Sequence, residues 1–300
     1  LGRINCKGGD SQFVFGCGRF LEMKRVVLAL AVCSSLIACS KTTDDGFLSL
    51  SPDEQAQLFQ ERNIADFGLR GTKKLVLTFD DGPTPGVTDV LLDVLAKERV
   101  QATFFMVGRN IPGNEKLLLR MRNEGHILAN HSMRHISLSK NEFIDDPDKV
   151  IWEIEKTHDL IAPYMKASQR LYFRAPHGAW SKFHPYYLNK ISKLQPYIGP
   201  IFWTIGGEMN PRPVKGTPYD VTSETIRSAA DWHCWSLRVS VATCYAGYMN
   251  EIERHQGGVI LFHDKNINTV KMVQLMIPEL KRRGYEFISL DDVQNLDKYL

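Results

Sequence analysis

From residue 74 onward, short apolar segments rich in β-forming residues alternate with longer segments of helical periodicity. This alternation predicts repeated β-then-α units, which build a parallel sheet. Seven or eight such units favour a (β/α) barrel, with a doubly wound open sheet as the alternative. The predicted strands are 74–79, 102–107, 126–129, 171–173, 200–205, 258–262 and 285–289, and the predicted helices are 87–99, 114–123, 149–165, 185–194, 222–235, 245–255 and 269–283.

The length and composition of the chain agree with one large domain. The chain has 300 residues, 43% of them hydrophobic, which is enough for a full core. We expect a single α/β domain over residues 71–297.

Polar residues follow four of the predicted strands, at the carboxyl ends where both candidate architectures place functional groups. They are Asp80 and Asp81 after the first strand, His131 and His135 after the third, Arg174 and His177 after the fourth, and His263 and Asp264 after the sixth. We therefore expect these side chains to converge on one face of the fold.

Two of these groups have the chemistry of a metal site. His131 and His135 are four residues apart and would share one face of a helical turn. A carboxylate would complete a ligand set of two histidines and one carboxylate, which leaves positions open for water and substrate. A second, adjacent carboxylate is then free to act as a base. Each motif also occurs by chance, so the joint order of the motifs carries the prediction.

That order resembles the NodB-like polysaccharide deacetylases, carbohydrate esterase family four. The segments that carry the resemblance are 78–83 (TFDDGP), 130–135 (NHSMRH), 174–178 (RAPHG) and 261–264 (LFHD). The resemblance extends over roughly residues 72–295. It implies a distorted (β/α) barrel and an enzyme that removes N-acetyl groups from an amino-sugar polymer outside the cytoplasm.

The resemblance also implies a metal and a base. Asp81, His131 and His135 would hold a divalent ion, usually zinc, with cobalt or another divalent ion as alternatives. Such an ion polarises both a water molecule and the substrate carbonyl. Asp80 matches the general base that takes the proton of that water.

Further roles follow from the same resemblance. Arg174 matches the residue that orients the base, and His263 matches the general acid that protonates the departing amine. The backbone N–H of His177 would stabilise the oxyanion. The residues assigned to the oxyanion and substrate positions are His177, Pro176, Trp203 and Trp232.

The sequence departs from the family pattern after Trp203, where a glycine stands in place of the aspartate that partners the acid histidine. Either Asp231 or Glu208 would then serve His263. Asp264 would either orient a neighbouring residue or cap a turn.

The segment 206–235 contains an insertion relative to the family pattern. Its residues Trp232 and Trp235 would either stack on sugar rings or pack against the barrel. Nearby, Cys234 and Cys244 would form a disulfide in an oxidising compartment, with two buried thiols as the alternative.

The first seventy residues have the pattern of an export signal. Residues 1–22 are interpreted as an upstream extension and residues 23–38 as a signal peptide, whose apolar run of thirteen residues is shorter than a membrane-spanning helix. The end of that run resembles a lipobox, so Cys39 would be lipidated and residues 39–70 would form a tether. Ser40 favours the outer membrane. The alternative is a plain signal peptide with an incidental cysteine.

Charge excludes one class of partner. The chain has 37 basic and 34 acidic residues. Residues 1–38 contain five of the basic and two of the acidic residues, so residues 39–300 contain 32 of each sign. A neutral body gives no electrostatic basis for nucleic-acid binding.

We expect a periplasmic, monomeric lipoprotein that contacts the membrane only through its anchor and acts on peptidoglycan or another N-acetylglucosamine polymer. The alternatives are an O-acetyl esterase of the xylan type and a non-catalytic glycan-binding lipoprotein.

Overall fold

The computed structural model describes residues 64–181, 184–207, 229–236 and 239–299. All of these residues belong to one of the two units into which the chain divides, Thr42–Leu300. The predicted upstream extension, the signal peptide with Cys39, most of the tether and Glu208 lie outside the described residues.

Parallel strands form the centre of the fold. The strands are β1 (Lys74–Asp80), β2 (Ala102–Met106), β3 (Ile127–Asn130), β4 (Leu171–Tyr172), β5 (Tyr197–Ile198), β6 (Gly258–His263) and β7 (Glu286–Phe287). Four of them lie in the order β3-β2-β1-β6, β7 pairs with the start of β1, and β4 pairs with β5. Every one of these pairings is parallel.

Isolated bridges extend the pairing from both edges of the larger sheet. Asn130 at the end of β3 pairs with Phe173 just after β4, and Ile205 pairs with Ile260 in β6. The strands therefore form a ring. Between β3 and β6, this ring is connected only by short pairings. The prediction of a distorted (β/α) barrel is confirmed.

Helices follow most of the strands on the outside of the ring. They are α1 (Thr88–Glu98), α2 (Glu115–Asn123), α3 (Asn141–Ile144), α4 (Pro147–Ile161), α5 (His184–Leu188), α6 (His233–Ser236), α7 (Val241–His255) and α8 (Ile267–Arg282). No helix in the described segments has both the length and the apolar character that crossing a bilayer requires.

Three predicted elements differ from the structure. The strand predicted over 200–205 makes only isolated bridges, because Pro200 has no N–H to donate to a ladder. The helix predicted over 185–194 ends at Leu188. Of the helix predicted over 222–235, residues 229–232 are not helical and only α6 is observed, while 222–228 lie outside the described residues.

Strand β1 is buried on both faces, as a central parallel strand should be. Leu75, Leu77 and Phe79 belong to the larger core cluster, which contains residues of α1, α7 and α8. Val76 belongs to a second cluster with residues of β2, β4 and β6. Both faces of β1 are thus held by apolar packing, and its carboxyl end is held rigidly.

Replacing Phe79 with alanine tests this packing. The ring of Phe79 is fully buried and stacks between Phe104 and Phe262, with centroid separations of 5.4 and 5.6 Å. We expect Phe79→Ala to lower the free energy of unfolding by about 3–5 kcal/mol, measured by urea denaturation. Leu275→Ala is the control, since Leu275 is 57% exposed, and should change it by less than about 0.5 kcal/mol. Equal losses in the two variants would contradict this assignment of the core.

Candidate active site and metal centre

The carboxyl ends of β1, β2, β3 and β6 lie level with one another. Asp80 is in register with Phe105 on one side and with His263 on the other, and Met106 is in register with Asn130. Side chains that follow these strands therefore meet at one end of the barrel. This parallel register is what brings distant sequence motifs together.

Asp80 and Arg174 form a buried ion pair at this end. Arg174 Nη1 donates to Asp80 Oδ1 at 2.7 Å and to Thr78 Oγ1 at 2.8 Å. Its Nε and Nη2 donate to the carbonyls of Ile201 and Phe202, at 2.9 and 3.1 Å. The guanidinium is fully buried, so these bonds offset the cost of removing its charge from water. Asp80 is left with Oδ2 available on the side of the metal ligands.

Asp81, His131 and His135 bring three ligand atoms together, all within 4.8 Å of one another. Asp81 Oδ1 lies 2.9 Å from His135 Nε2 and 3.6 Å from His131 Nε2. Ligands of a tetrahedral zinc ion are separated by about 3.3–3.5 Å, given metal–ligand bonds of about 2.0–2.2 Å. The three atoms thus have the spacing of one face of a metal site.

The chemistry of these atoms also fits a metal ion. Asp81 Oδ1 is buried yet accepts no hydrogen bond from the described residues. His131 Nδ1 lies 2.7 Å from the carbonyl of Arg174, which only accepts, so Nδ1 carries the proton and Nε2 presents its lone pair. Burial lowers the pKa of His131 to about 4 despite the nearby Asp80 and Asp81, which keeps the ring neutral. A carboxylate and a neutral imidazole facing one point are metal donors.

The helical turn predicted for residues 131–135 is wrong. The segment is an irregular loop, in which Ser132 and His135 adopt left-handed conformations with φ of 65° and 57°. Asp81 is also left-handed, with φ of 77°. The ligands meet because of these backbone turns, which the spacing of the two histidines did not reveal.

His263 is paired with Asp231, which was one of the two candidate partners. His263 Nδ1 lies 2.8 Å from Asp231 Oδ1, and its backbone N–H donates to Asp231 Oδ2 at 2.7 Å. Thr269 Oγ1 donates to the same Oδ2 at 2.8 Å. Burial lowers the pKa of His263, but the nearby carboxylates, led by Asp231 and including Asp81 and Asp80, together raise it to about 9. The imidazolium form is therefore favoured at neutral pH, with Nδ1–H bound to Asp231 and Nε2–H left to face the site.

Two tryptophans pack against this histidine. The rings of Trp232 and Trp235 meet the His263 ring edge to face, with centroids 5.4 and 5.9 Å away. Cys234, which lies between them, forms a disulfide with Cys244 of α7. The two rings thus form part of the wall around His263.

Asp264 lies beneath the site. Its carboxyl is fully buried, Oδ2 accepts from Thr88 Oγ1 at 2.6 Å, and burial raises its pKa to about 7. A Cβ added at Gly82 would lie 2.1 Å from Asp264 Oδ2. The glycine that follows the two aspartates therefore makes room for this carboxyl, and Asp264 connects the β1 turn to α1.

The residues predicted to contact the substrate lie around the metal ligands. His177 is left-handed, with φ of 59°, and its ring packs edge to face on His135 with centroids 4.6 Å apart. Pro176 precedes it and is buried. The ring of Trp203 lies 5.6 Å from the guanidinium carbon of Arg174, so Trp203 helps to enclose the buried ion pair.

Lys265 also contacts this site, although it was not among the predicted site residues. Its Nζ lies 3.1 Å from Asp81 Oδ2, the carboxylate oxygen that does not face the two histidines. This contact fixes the orientation of the carboxylate. The only signal in the sequence was its place directly after the His263-Asp264 motif.

This chain is similar to proteins of known activity. A family model described as polysaccharide deacetylase matches residues 69–193. A chitooligosaccharide deacetylase from Bradyrhizobium sp. (strain ANU 289) is 30% identical over 225 residues, which cover 75% of this chain and 91% of that protein. The peptidoglycan-N-acetylmuramic acid deacetylase PdaA of Bacillus subtilis (strain 168) is 29% identical over 222 residues, covering 74% and 71%.

The fold is also similar to that of a solved structure. The structure of Bacillus subtilis PdaA, a family 4 carbohydrate esterase, has a TM-score of 0.58 and 25% identity, and covers 81% of this chain and 89% of that one. Fold and site define a hydrolase of the carbohydrate esterase class. The chain belongs to the polysaccharide deacetylase family, as its motifs predicted.

Replacing Asp231 with asparagine tests the electrostatics of the acid pair. We expect the pKa of His263 to fall from about 9 toward or below its ordinary value of 6.5, because burial then loses its main opposing charge. An NMR titration of the imidazole C–H signals measures it, with His263→Gln used for assignment. Thr269→Val is the control, since it removes a hydrogen bond to Asp231 but no charge. A pKa that stays near 9 in Asp231→Asn would show that another group charges His263.

Proposed function

We propose that this protein is a metal-dependent hydrolase that removes N-acetyl groups from a polysaccharide containing N-acetylglucosamine. The observation that carries the proposal is the meeting of three groups at one end of the barrel. They are the candidate ligand triad, the buried Asp80–Arg174 pair, and the His263–Asp231 pair. A metal site, a base and an acid are the components that hydrolysis of an unactivated amide requires.

Asp81, His131 and His135 would hold the divalent ion, for which zinc is the leading candidate and cobalt a substitute. Bound there, the ion would supply Lewis acidity to a water molecule and to the acetyl carbonyl. Lys265 holds the outer oxygen of Asp81, so that Oδ1 faces the two histidines.

Asp80 is the proposed general base. Its Oδ1 is held by Arg174, and its Oδ2 lies 3.7 Å from His131 Nε2, beside the ligand atoms. That oxygen is placed to accept a proton from a water molecule at the site. Arg174 keeps the carboxylate oriented through a charge-assisted hydrogen bond.

His263 is the proposed general acid. An amine departs from the tetrahedral intermediate only with a proton, because an amide anion is a very poor leaving group. The imidazolium favoured by Asp231 supplies that proton from Nε2. The backbone N–H of His177, beside Pro176, is proposed to bind the oxyanion. Trp203 and Trp232 are proposed to border the sugar.

The substrate class is supported by the relatives, whose names give peptidoglycan and chitooligosaccharides as substrates. An exported location fits such a polymer. We propose that residues 23–38 are a signal peptide, that the deacetylase domain spans 71–297, and that Cys39 anchors a monomeric protein to the outer membrane from the periplasm.

Acetate release from N-acetylglucosamine oligomers tests the reaction. With added zinc the protein should release acetate, a chelator should abolish release, and Asp80→Asn should reduce kcat by about a hundredfold or more because the base is lost. Asp93→Asn is the matched control, since Asp93 is exposed and lies on α1 away from the site. It should retain full activity.

The same assay on O-acetylated xylan distinguishes the esterase. Release from esters alone would replace the proposed amide hydrolysis with ester hydrolysis. A protein that binds zinc and the glycan but releases no acetate from either substrate would instead be a binding protein.

Mass spectrometry of the protein from a Gram-negative host tests the anchor. We expect a mature N-terminus at Cys39 that carries covalent lipid, and fractionation with the outer membrane. Cys39→Ser should leave the protein unlipidated and soluble in the periplasm. An unmodified wild-type N-terminus, or cleavage at another residue, would contradict the proposal.

A further inference from the structure

The loop between the two histidine ligands is held by side chains. The N–H of Ser132 donates to Asn130 Oδ1 at 3.0 Å, and the N–H of His135 donates to Ser132 Oγ at 3.2 Å. The N–H groups of Met133 and Arg134 both donate to Glu153 Oε2, each at 2.9 Å. Because the loop is neither helix nor strand, its N–H groups rely on these side-chain acceptors, while the carbonyls of Ser132 and Met133 accept from the N–H groups of Gly108 and Arg109.

Among these acceptors, Glu153 accepts the most N–H groups from the loop. It lies in α4, and its side chain is completely buried. Its second oxygen, Oε1, accepts from Arg134 Nε. Three N–H donors from two adjacent loop residues thus converge on one carboxylate, which offsets the cost of burying its charge.

Arg134 covers the Glu153 carboxylate on the solvent side. Its guanidinium lies 5.0 Å from the ring centroid of Trp152, the neighbour of Glu153 on α4, and its side chain is about half exposed. The arginine inside the His-x-x-x-His segment therefore joins the ligand loop to α4. No role in the proposed reaction uses either residue.

We propose that Glu153, braced by Arg134, is a positioning residue that sets the separation of the ligands His131 and His135. The inference rests on the proposed metal site. Without the carboxylate, two adjacent, partly buried N–H groups lose their acceptor and the loop rearranges to satisfy them. His135 is attached directly to this segment and is left-handed, so its imidazole moves with the loop. A role confined to anchoring α4 would affect stability and leave metal affinity unchanged.

Cobalt binding to the full chain tests the proposal, with the affinity measured by competition with a chelator and the site monitored by the visible absorption of the bound ion. Glu153→Gln keeps the shape and one acceptor oxygen, but its NH2 group must face either the loop N–H groups or Arg134 Nε, all of which are donors. We expect it to bind cobalt about 10–100-fold more weakly than the wild type and to change the spectrum. Glu155→Gln is the matched control. Glu155 lies on the same helix, is partly exposed and pairs with Lys193, and its replacement should change neither affinity nor spectrum.

The possible results separate the two proposals. If the wild type binds no cobalt, the metal site itself is wrong. If the wild type binds and Glu153→Gln matches it in affinity and spectrum, only the positioning role is overturned, even if the variant unfolds more easily. If Glu153→Gln fails to fold, Arg134→Met decides, because it removes an exposed group and leaves the carboxylate. A weaker site with an altered spectrum in Arg134→Met would support the role, and an unchanged site would overturn it.

Discussion

The buried ion pair between Arg174 and Asp80 is the interaction on which the active end of the barrel depends. From its place just after β4, the guanidinium donates hydrogen bonds to two other segments, β1 and the carbonyls of residues 201 and 202. Those carbonyls belong to the poorly paired part of the ring, between β5 and the bridge at Ile205. One charged side chain thus supports the weakest stretch of the barrel and orients the proposed base. Removing either partner would leave an uncompensated charge in the interior.

Around this pair, the site is built from backbone conformations that are rare for side-chain-bearing residues. Asp81, Ser132, His135 and His177 are all left-handed. Such conformations persist where surrounding contacts over-determine them, and they cluster at functional sites. Here those contacts include Asn110 on the carbonyl of Asp81, Glu153 beneath the ligand loop, and Arg174 beneath His131. The candidate metal ligands are therefore held in place by hydrogen-bonded neighbours.

Much of this was predictable from sequence, for a physical reason. Parallel strands end at a common edge, so Asp80, His131 and His263 had to come together once their strands were recognised. The loop between the two histidines was not predictable, because left-handed residues and the distant Glu153 decide its shape. The choice of Asp231 over Glu208 was also left open, because an insertion separates Asp231 from the strand that normally supplies the partner. Lys265 reaches Asp81 from just beyond the end of β6, the strand next to β1. No distinctive sequence pattern marks a lysine at that position.

The two indole rings against His263 have a consequence for how this site can be observed. An imidazolium quenches the fluorescence of a neighbouring tryptophan far more effectively than a neutral imidazole does. Trp232 and Trp235 both lie within 6 Å of that ring, measured between centroids. The emission of the protein should therefore brighten as the acid loses its proton. The fold has thus placed a native fluorescent reporter beside the histidine proposed as the general acid.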